Sequence, residues 1–424
     1  MKRRLAGLAG VAGVVAVVAL IASCSGSSSD GDTDAVTVFG PWVGADADAM
    51  ADVLDGFDGA EVRYTGSGDF VTDFDVRIGS GLDRPDVALV PQPAIIDELI
   101  ASGDLVPFSD EVASAVADGF APGSWDRTED GFVYVLPYRS NVKSLVWYRP
   151  EVFAANGWAV PASMDELEAL VTEIQSGSVI VPWCFSIFAG GETGWPATDW
   201  IEDLVLRESG PEVYDQWVDG EIDFSDPRIQ RVFETFDRLV LAQGRVLGGR
   251  SDVLEVEVAR AGDGLFTTEP GCAMFKQASF ATTWFPDGTS ISPGGDVDFF
   301  ILPDEEPDAT PPLLVAGTGA VQLSARPEVD EMMAYLASPE GADAWASRGG
   351  YVSARTDVDP DRYYRGVDAR FSALLQNAPV TRFDASDQFD STLREAVLDG
   401  ITAWIAGRVT LDELLASLDE VAAG

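Results

Sequence analysis

From Val36 onward, short β-branched runs alternate with amphipathic ones, and no tight hairpin intervenes. "AVTVFGPW" reads as a strand ended by a Gly-Pro turn, and "ADADAMADVLDGFDG" places Met50, Val53, Leu54 and Phe57 at helical spacing. "AEVRYTG" is a second strand and "DFVTDFDVRIGSG" a helix begun by an Asp cap; "PDVALVPQP" and "AIIDELIASGDLVPF" repeat the pair, the helix closing at Gly103. Strands joined through helices pair in parallel, and the helices then cover both faces of the sheet. The expected fold class is α/β.

Farther along, "FVYVLPYRSNVKSLVWYRP" holds two alternating apolar runs separated by "PYRSN". A strand that leaves one sheet through a polar kink and enters another is how two lobes are hinged. From Pro161 the pattern is mainly helical: "SMDELEALVTEIQSG" has a Ser cap, and "DPRIQRVFETFDRLVLAQG" keeps an apolar stripe until Gly244. "DVDFFILP" and "LLVAGTGAVQL" read as a return to the first lobe, with helices again from Glu328 to the end. A chain of 424 residues exceeds one ordinary core. The expected division is 36–141 with 298–330 in a first α/β lobe, and 142–297 with 331–424 in a second, more helical one.

Charge narrows the partners. With 27 basic and 71 acidic side chains the formal charge is −44, which repels nucleic acid and anionic lipid headgroups. No histidine is present, so His-based triads, imidazole zinc sites and His general bases are excluded, while Asp/Glu chemistry stays open.

The N-terminus, "MKRRLAGLAGVAGVVAVVALIASCSGSSSD", has a basic n-region, an apolar stretch from Leu5 to Ala22 and then Ser23-Cys24. A small-residue cleavage site after an apolar stretch is an export signal, and a cysteine directly behind it resembles a bacterial lipoprotein signal. Residues 1–23 are then the signal peptide, Cys24 the lipidated first residue and 24–35 a flexible tether, in a protein held at the outer face of the cell membrane. The alternative is an uncleaved membrane anchor, since the stretch is nearly long enough to span. Two cysteines remain in an oxidising compartment, Cys184 and Cys272; a disulfide closing a long loop and two separate buried thiols both fit.

Motifs for known chemistries are missing: no G-x-S-x-G elbow, no Walker sequence, no metal-type cysteine spacing and no G-x-G-x-x-G. "DVDPD" at 357–361 begins like a calcium loop but has Arg362 where glycine is needed, so it reads as a solvated acidic turn. No metal or cofactor is expected. What remains is a set of aromatic and planar polar residues at turns: Trp42, Asp69, Gln92, Tyr138, Arg139, Asn141, Trp195, Asp199, Gln277, Trp284 and Tyr351. Sugars have an apolar C–H face and a rim of hydroxyls, and they need an aromatic plate beside two-way hydrogen-bonders. These residues lie at strand-end loops, where α/β sheets place ligands. Asp199 with Glu202 also fits a helix capping box. Trp42, Trp195 and Trp284 are the expected plates, whereas Val38, Phe39, Trp147, Trp345 and Trp404 sit in core patterns.

In this order, "VTVFGPW", "PDVALVPQP", "PYRSNVKSLVWY", "VPWC", "TGWPATDWIED", "GCAMFKQASF" and "SRGGYVSA" resemble the extracellular solute-binding proteins of carbohydrate ABC importers, specifically the α-glucoside branch. The resemblance runs from about Val36 to the C-terminus. It implies a two-lobe fold of the maltose-binding-protein type with a multi-strand hinge, a monomer holding sugar in the cleft, delivery to a permease with its ATPase, and pairing of Cys184 with Cys272. "IFAGGE", just before the tryptophan turn, departs from the family pattern, as does the strongly acidic, lysine-poor composition. Two other functions fit less well: binding of another small solute such as a polyamine, and glycoside hydrolysis, which needs two carboxylates about 5–9.5 Å apart.

Overall fold

A computed structural model of the protein describes residues 35–81, 83–120, 128–129 and 131–424. Cys24 and the signal region lie outside them.

The first sheet is built from β1 (Val36–Gly40), β2 (Val62–Gly66) and β3 (Val87–Val90), which alternate with helices Ala45–Leu54, Phe70–Ser80 and Pro93–Ser102. β1 lies between β2 and β3 and pairs in parallel with both. Successive side chains go to opposite faces, and both faces are buried. Val36, Val38, Val87 and Leu89 join a core with Met50, Val53, Met332 and Trp345, while Phe39, Ala88 and Val90 join another with Phe70, Phe74 and Ile96. Asp69 occupies the N-cap position of Phe70–Ser80, but its side chain makes no capping bond.

After helix Asp110–Gly119 come a short antiparallel pair, β4 (Thr128–Glu129) with β5 (Phe132–Val133), and then β6 (Val135–Val142) and β7 (Leu145–Tyr148). "PYRSN" lies inside β6, where the pairing with β11 slips at Tyr138, between Pro137 opposite Gly319 and Arg139 opposite Thr318, and the chain changes sheets one step beyond β6, at Lys143 and Ser144. Tyr138 and Arg139 are buried there, and the Arg139 guanidinium donates to the Gly350 carbonyl. The second sheet has the order β10–β7–β9–β8, from β8 (Val181–Trp183), β9 (Cys272–Lys276) and β10 (Asp298–Ile301). β10 was expected with the first lobe but pairs antiparallel with β7, where Trp147 packs edge-on against Phe299.

β11 (Leu313–Gln322) returns to the first sheet, antiparallel to both β6 and β3, and β12 (Thr381–Phe383) lies parallel to its first residues. The first sheet is therefore mixed, not largely parallel. Helices Pro327–Ala337 and Pro339–Ala346 put Val329, Met332, Met333 and Trp345 into the first sheet's core, although residues from 331 on were expected with the second lobe. Most of the remaining helices, including Trp195–Glu208 and Ser391–Ile405, surround the second sheet. Cys184 and Cys272 form a disulfide in its core, with Cα atoms 5.3 Å apart.

Candidate ligand-binding site

β6 carries Tyr138, Arg139 and Asn141 to the place where the chain crosses between sheets. Tyr138 is buried in a ring cluster: Trp42 lies 6.2 Å away, Trp345 5.9 Å and Tyr351 5.9 Å, and Trp42 stands edge-on to Trp345 at 4.7 Å. The Tyr351 hydroxyl donates to the Tyr138 carbonyl at 2.8 Å. Trp42 is only 8% exposed, so it is packed among other rings instead of standing open as a plate. Arg139 spans the cluster. It lies 5.4 Å from the Trp42 and Trp345 rings, donates to the Gly350 carbonyl at 2.7 Å and pairs with Asp46 at 3.3 Å. Tyr138 Oη and Arg139 Nε are buried without a hydrogen-bond partner among the described residues, as is Gln92 Oε1 at the start of helix Pro93–Ser102. Buried polar groups are normally satisfied, so each of these atoms is open to a polar partner, as are others elsewhere among the described residues, Trp200 Nε1 and Gln322 Oε1 among them.

A second group of rings belongs to the other sheet. Gly194, at φ 120°, turns the chain into helix Trp195–Glu208, with Pro196 in its first turn. Trp195 is half-buried and meets Phe280 edge-on at 6.0 Å; Phe280 in turn lies 5.2 Å from Trp284. All three rings keep part of their surface exposed. Phe280 was not among the expected site residues; within "QASF" the expected one was the polar Gln277.

Two links join the ring groups. The Val142 amide donates to Ser279 Oγ at 3.2 Å, bringing the end of β6 onto the turn before Phe280. The loop at Gly350 touches that turn as well: a Cβ there would lie 3.1 Å from Thr283, and Arg365 donates to Thr282 at 2.8 Å. Asp69 is exposed, and its carboxylate abuts Gly191 of the second unit. Asn141 is half-buried, paired in register with Ala316.

Two expected contacts are otherwise engaged. Gln277 is buried, and its side-chain oxygen accepts from the Ala278 amide at 2.8 Å. Asp199 does not cap a helix with Glu202. The helix begins four residues earlier, so Asp199 falls in its second turn, buried and bonded to Lys143 at 2.8 Å. Glu202 instead accepts from the amides of Ala385 and Ser386 at 3.0 and 3.1 Å.

Beneath Trp195 lies a buried ionic network. Lys143 pairs with Asp199 and, at 2.9 Å, with Asp384; Lys276 and Arg207 share Asp203 at 3.2 and 3.0 Å. Burial pushes the Asp199 carboxyl up to about 7 against the pull of Lys143. Burial acts on Asp384 the same way, but there Lys143 and the Ser386 hydroxyl outweigh it and hold the group down at about 2. Asp387 is pushed up to about 8, by burial first and the Asp384 charge second, and Glu202 well above the usual range for the same two reasons. The network shares its proton load unevenly.

Among the described residues no group of three or more acidic or cysteine side chains could hold a metal ion, and no helix is long and apolar enough to cross a membrane. Asp357 of "DVDPD" is taken by Arg355 at 2.8 Å.

Two α/β units, each on its own sheet, with strands running between them and two ring groups meeting at the crossing, define a two-lobe binding protein. The chain belongs to the family of bacterial extracellular solute-binding proteins, whose sequence profile matches residues 32–343. It is 34% identical over 391 residues to the alpha-glucosides-binding periplasmic protein AglE of Rhizobium meliloti (strain 1021), covering 89% of this chain and 84% of that one. It is also 34% identical over 394 residues to the osmoprotective compounds-binding protein GgtB of Synechocystis sp. (strain ATCC 27184 / PCC 6803 / Kazusa), covering 91% and 92%. In fold it is similar to maltose-bound MalE3 of T. maritima, with a TM-score of 0.70, 16% identity and coverage of 92% and 99%.

Proposed function

We propose that the protein is the receptor of an ABC importer, closing its lobes over a neutral α-glucoside and handing it to a membrane permease and its ATPase. The observation that carries this reading is the half-buried run Trp195–Phe280–Trp284, adjoined through Val142–Ser279 and Gly350–Thr283 to buried Tyr138 and Arg139 atoms without partners. Rings for the C–H face and unsatisfied polar atoms for the hydroxyls are the two requirements of a sugar. Trp195 and Trp284 are the plates, with Phe280 between them. Asp69, Gln92, Tyr138, Arg139 and Asn141 supply the hydrogen bonds, Trp42 and Tyr351 shape the pocket wall, and Asp199 and Gln277 support it from behind. One lobe is the first sheet with helices Pro327–Ala337 and Pro339–Ala346; the other is the second sheet with its helices. The same 34% identity to a binder of osmoprotective compounds supports a second cargo class, a small neutral compatible solute.

A polyamine fits less well, because carboxylates beside the rings are already taken, Asp46 by Arg139 and Asp199 and Asp384 by Lys143. Hydrolysis fits less well too: the buried carboxylates Asp199 and Asp384 are tied to one lysine, so we assign no catalysis. The chain acts as a monomer outside the cytoplasm, tethered by lipid on Cys24. Calorimetry of the purified chain against maltose, trehalose, sucrose, longer α-glucans and a polyamine tests the reading. Heat with one glucoside and no released product is expected. Silence across the sugars with heat from the polyamine would overturn it.

A further inference from the structure

The sequence holds three lysines, and two of them, Lys143 and Lys276, meet at the sheet crossing. Lys143 occupies the step between β6 and β7 and is fixed there by its amide, which donates to the Leu314 carbonyl at 2.8 Å. Its ammonium binds Asp199 at 2.8 Å and Asp384 at 2.9 Å, and it lies 5.1 Å from the centre of the Trp195 ring. Asp199 follows Trp195 by four residues, one turn along the same helix. Lys276 donates to the Asp199 carbonyl at 3.0 Å, holding that turn from another side. Asp384 opens the loop in which the Asp387 carbonyl accepts from Ala94 of the first unit at 3.4 Å.

A single cation thus touches the interlobe crossing, the helix that carries the ring and a loop that bears on the opposite lobe. Taking an ammonium and two carboxylates out of water is unfavourable, and a well-packed apolar trio would stabilise a fold at least as well. A buried ion set of this kind is better explained by the geometry it fixes.

We propose that Lys143 is a positioning residue for the cargo: through Asp199 it fixes the rotation of the first helical turn and covers one face of Trp195, leaving the other face as the platform. This rests on the sugar-receptor reading for its consequence, but not for its geometry. The test therefore has two arms. In the first, 19F NMR follows the Trp195 resonance of the full chain labelled with 5-fluorotryptophan, assigned by W195F, with no sugar present. D199N and K143R are expected to shift or broaden that line while thermal melting remains cooperative; an unmoved line in both overturns the proposal whether or not the protein binds sugar. In the second, calorimetry with the glucoside that the wild type binds compares D199N in two backgrounds. A loss of about tenfold in the wild-type background, shrinking below about twofold in W195A, is expected for groups acting through one another. Equal losses in both backgrounds would mean a merely structural role and overturn the proposal. A wild type that binds no glucoside would count against the receptor reading alone, and the first arm would still decide.

Discussion

Gly191 lies against the carboxylate of Asp69 across the gap between the two units: a methyl group added to Gly191 would sit 3.1 Å from Asp69 Oδ1. Few side-chain carbons sit that close to an oxygen; the exposed Asp69 carboxylate can turn aside for a methyl group, whereas a leucine would fill the space between the units. The glycine belongs to "IFAGGE", the segment that departs from the family pattern, and the contact forms between lobes, not within one. G191L is expected to weaken glucoside binding by about 3- to 10-fold, or about 0.7–1.4 kcal/mol, while leaving the apo melting temperature within about 2 °C. Calorimetry and a thermal scan check this; an unfolded apo protein would place Gly191 in the folding core instead.

Trp195 and Phe280 meet edge-on at 6.0 Å with both rings half-buried. W195A is expected to cost about 1–3 kcal/mol of sugar binding, by analogy with other aromatic platforms, with F280A weaker because it acts largely by supporting its two neighbours. Titration calorimetry on both variants, with melting curves as the control, measures it. A large fall in apo stability with unchanged affinity would make Trp195 a core residue.

The strand and helix order was legible because burial of both sheet faces leaves continuous apolar runs such as Val87–Val90, and helices end at recognisable points such as Gly103. Strand partners were not. "DVDFFILP" reads the same in either sheet, and contacts distant in the chain, such as those of Phe299 with Trp147, 152 positions earlier, and of Phe300 with Tyr148, draw β10 to the second. The capping-box spacing at Asp199 was a true local signal that a nonlocal one overrode, since Gly194 and Pro196 start the helix early and Lys143 claims the carboxylate from 56 residues away. The expected core residues Val38, Phe39, Trp147, Trp345 and Trp404 are all buried. Trp42 is buried with them, because whether a ring at a turn is bare depends on which distant rings it meets.

The Cys184–Cys272 bond closes a separation of 88 residues within the second sheet's core. In the chain-entropy model a loop of that length contributes about 4–5 kcal/mol by restricting the unfolded chain. Guanidinium unfolding with and without reductant is expected to differ by that amount. G264A is expected to destabilise the oxidised form, since its Cβ would come 2.5 Å from the Cys272 sulfur. Identical curves with and without reductant would mean that the thiols are free.

The carboxylates under Trp195 also make stability depend on pH in a definite direction. Asp199 and Asp387 are pushed up to about 7 and about 8 in the folded protein, and Glu202 is also raised, all chiefly by burial. In the unfolded chain they ionise near 4. Between about pH 4 and 8 the folded state therefore holds protons that the unfolded state has released, and stability falls as pH rises, by up to about 1.4 kcal/mol per pH unit for each lagging group, levelling off above the folded values. Asp384, held at about 2, works the other way but only below about pH 4. Repulsion among the many surface acids adds in the same direction as the raised groups, and salt screens that part. At high salt, urea unfolding of the apo protein is expected to give a lower free energy at pH 8.5 than at pH 5.5, and D387N, which removes one of the raised groups, should flatten the difference. A free energy that stays level or rises across this range would show that the buried carboxylates are already ionised at pH 5.5, with Lys143 and Lys276 sufficient to hold them.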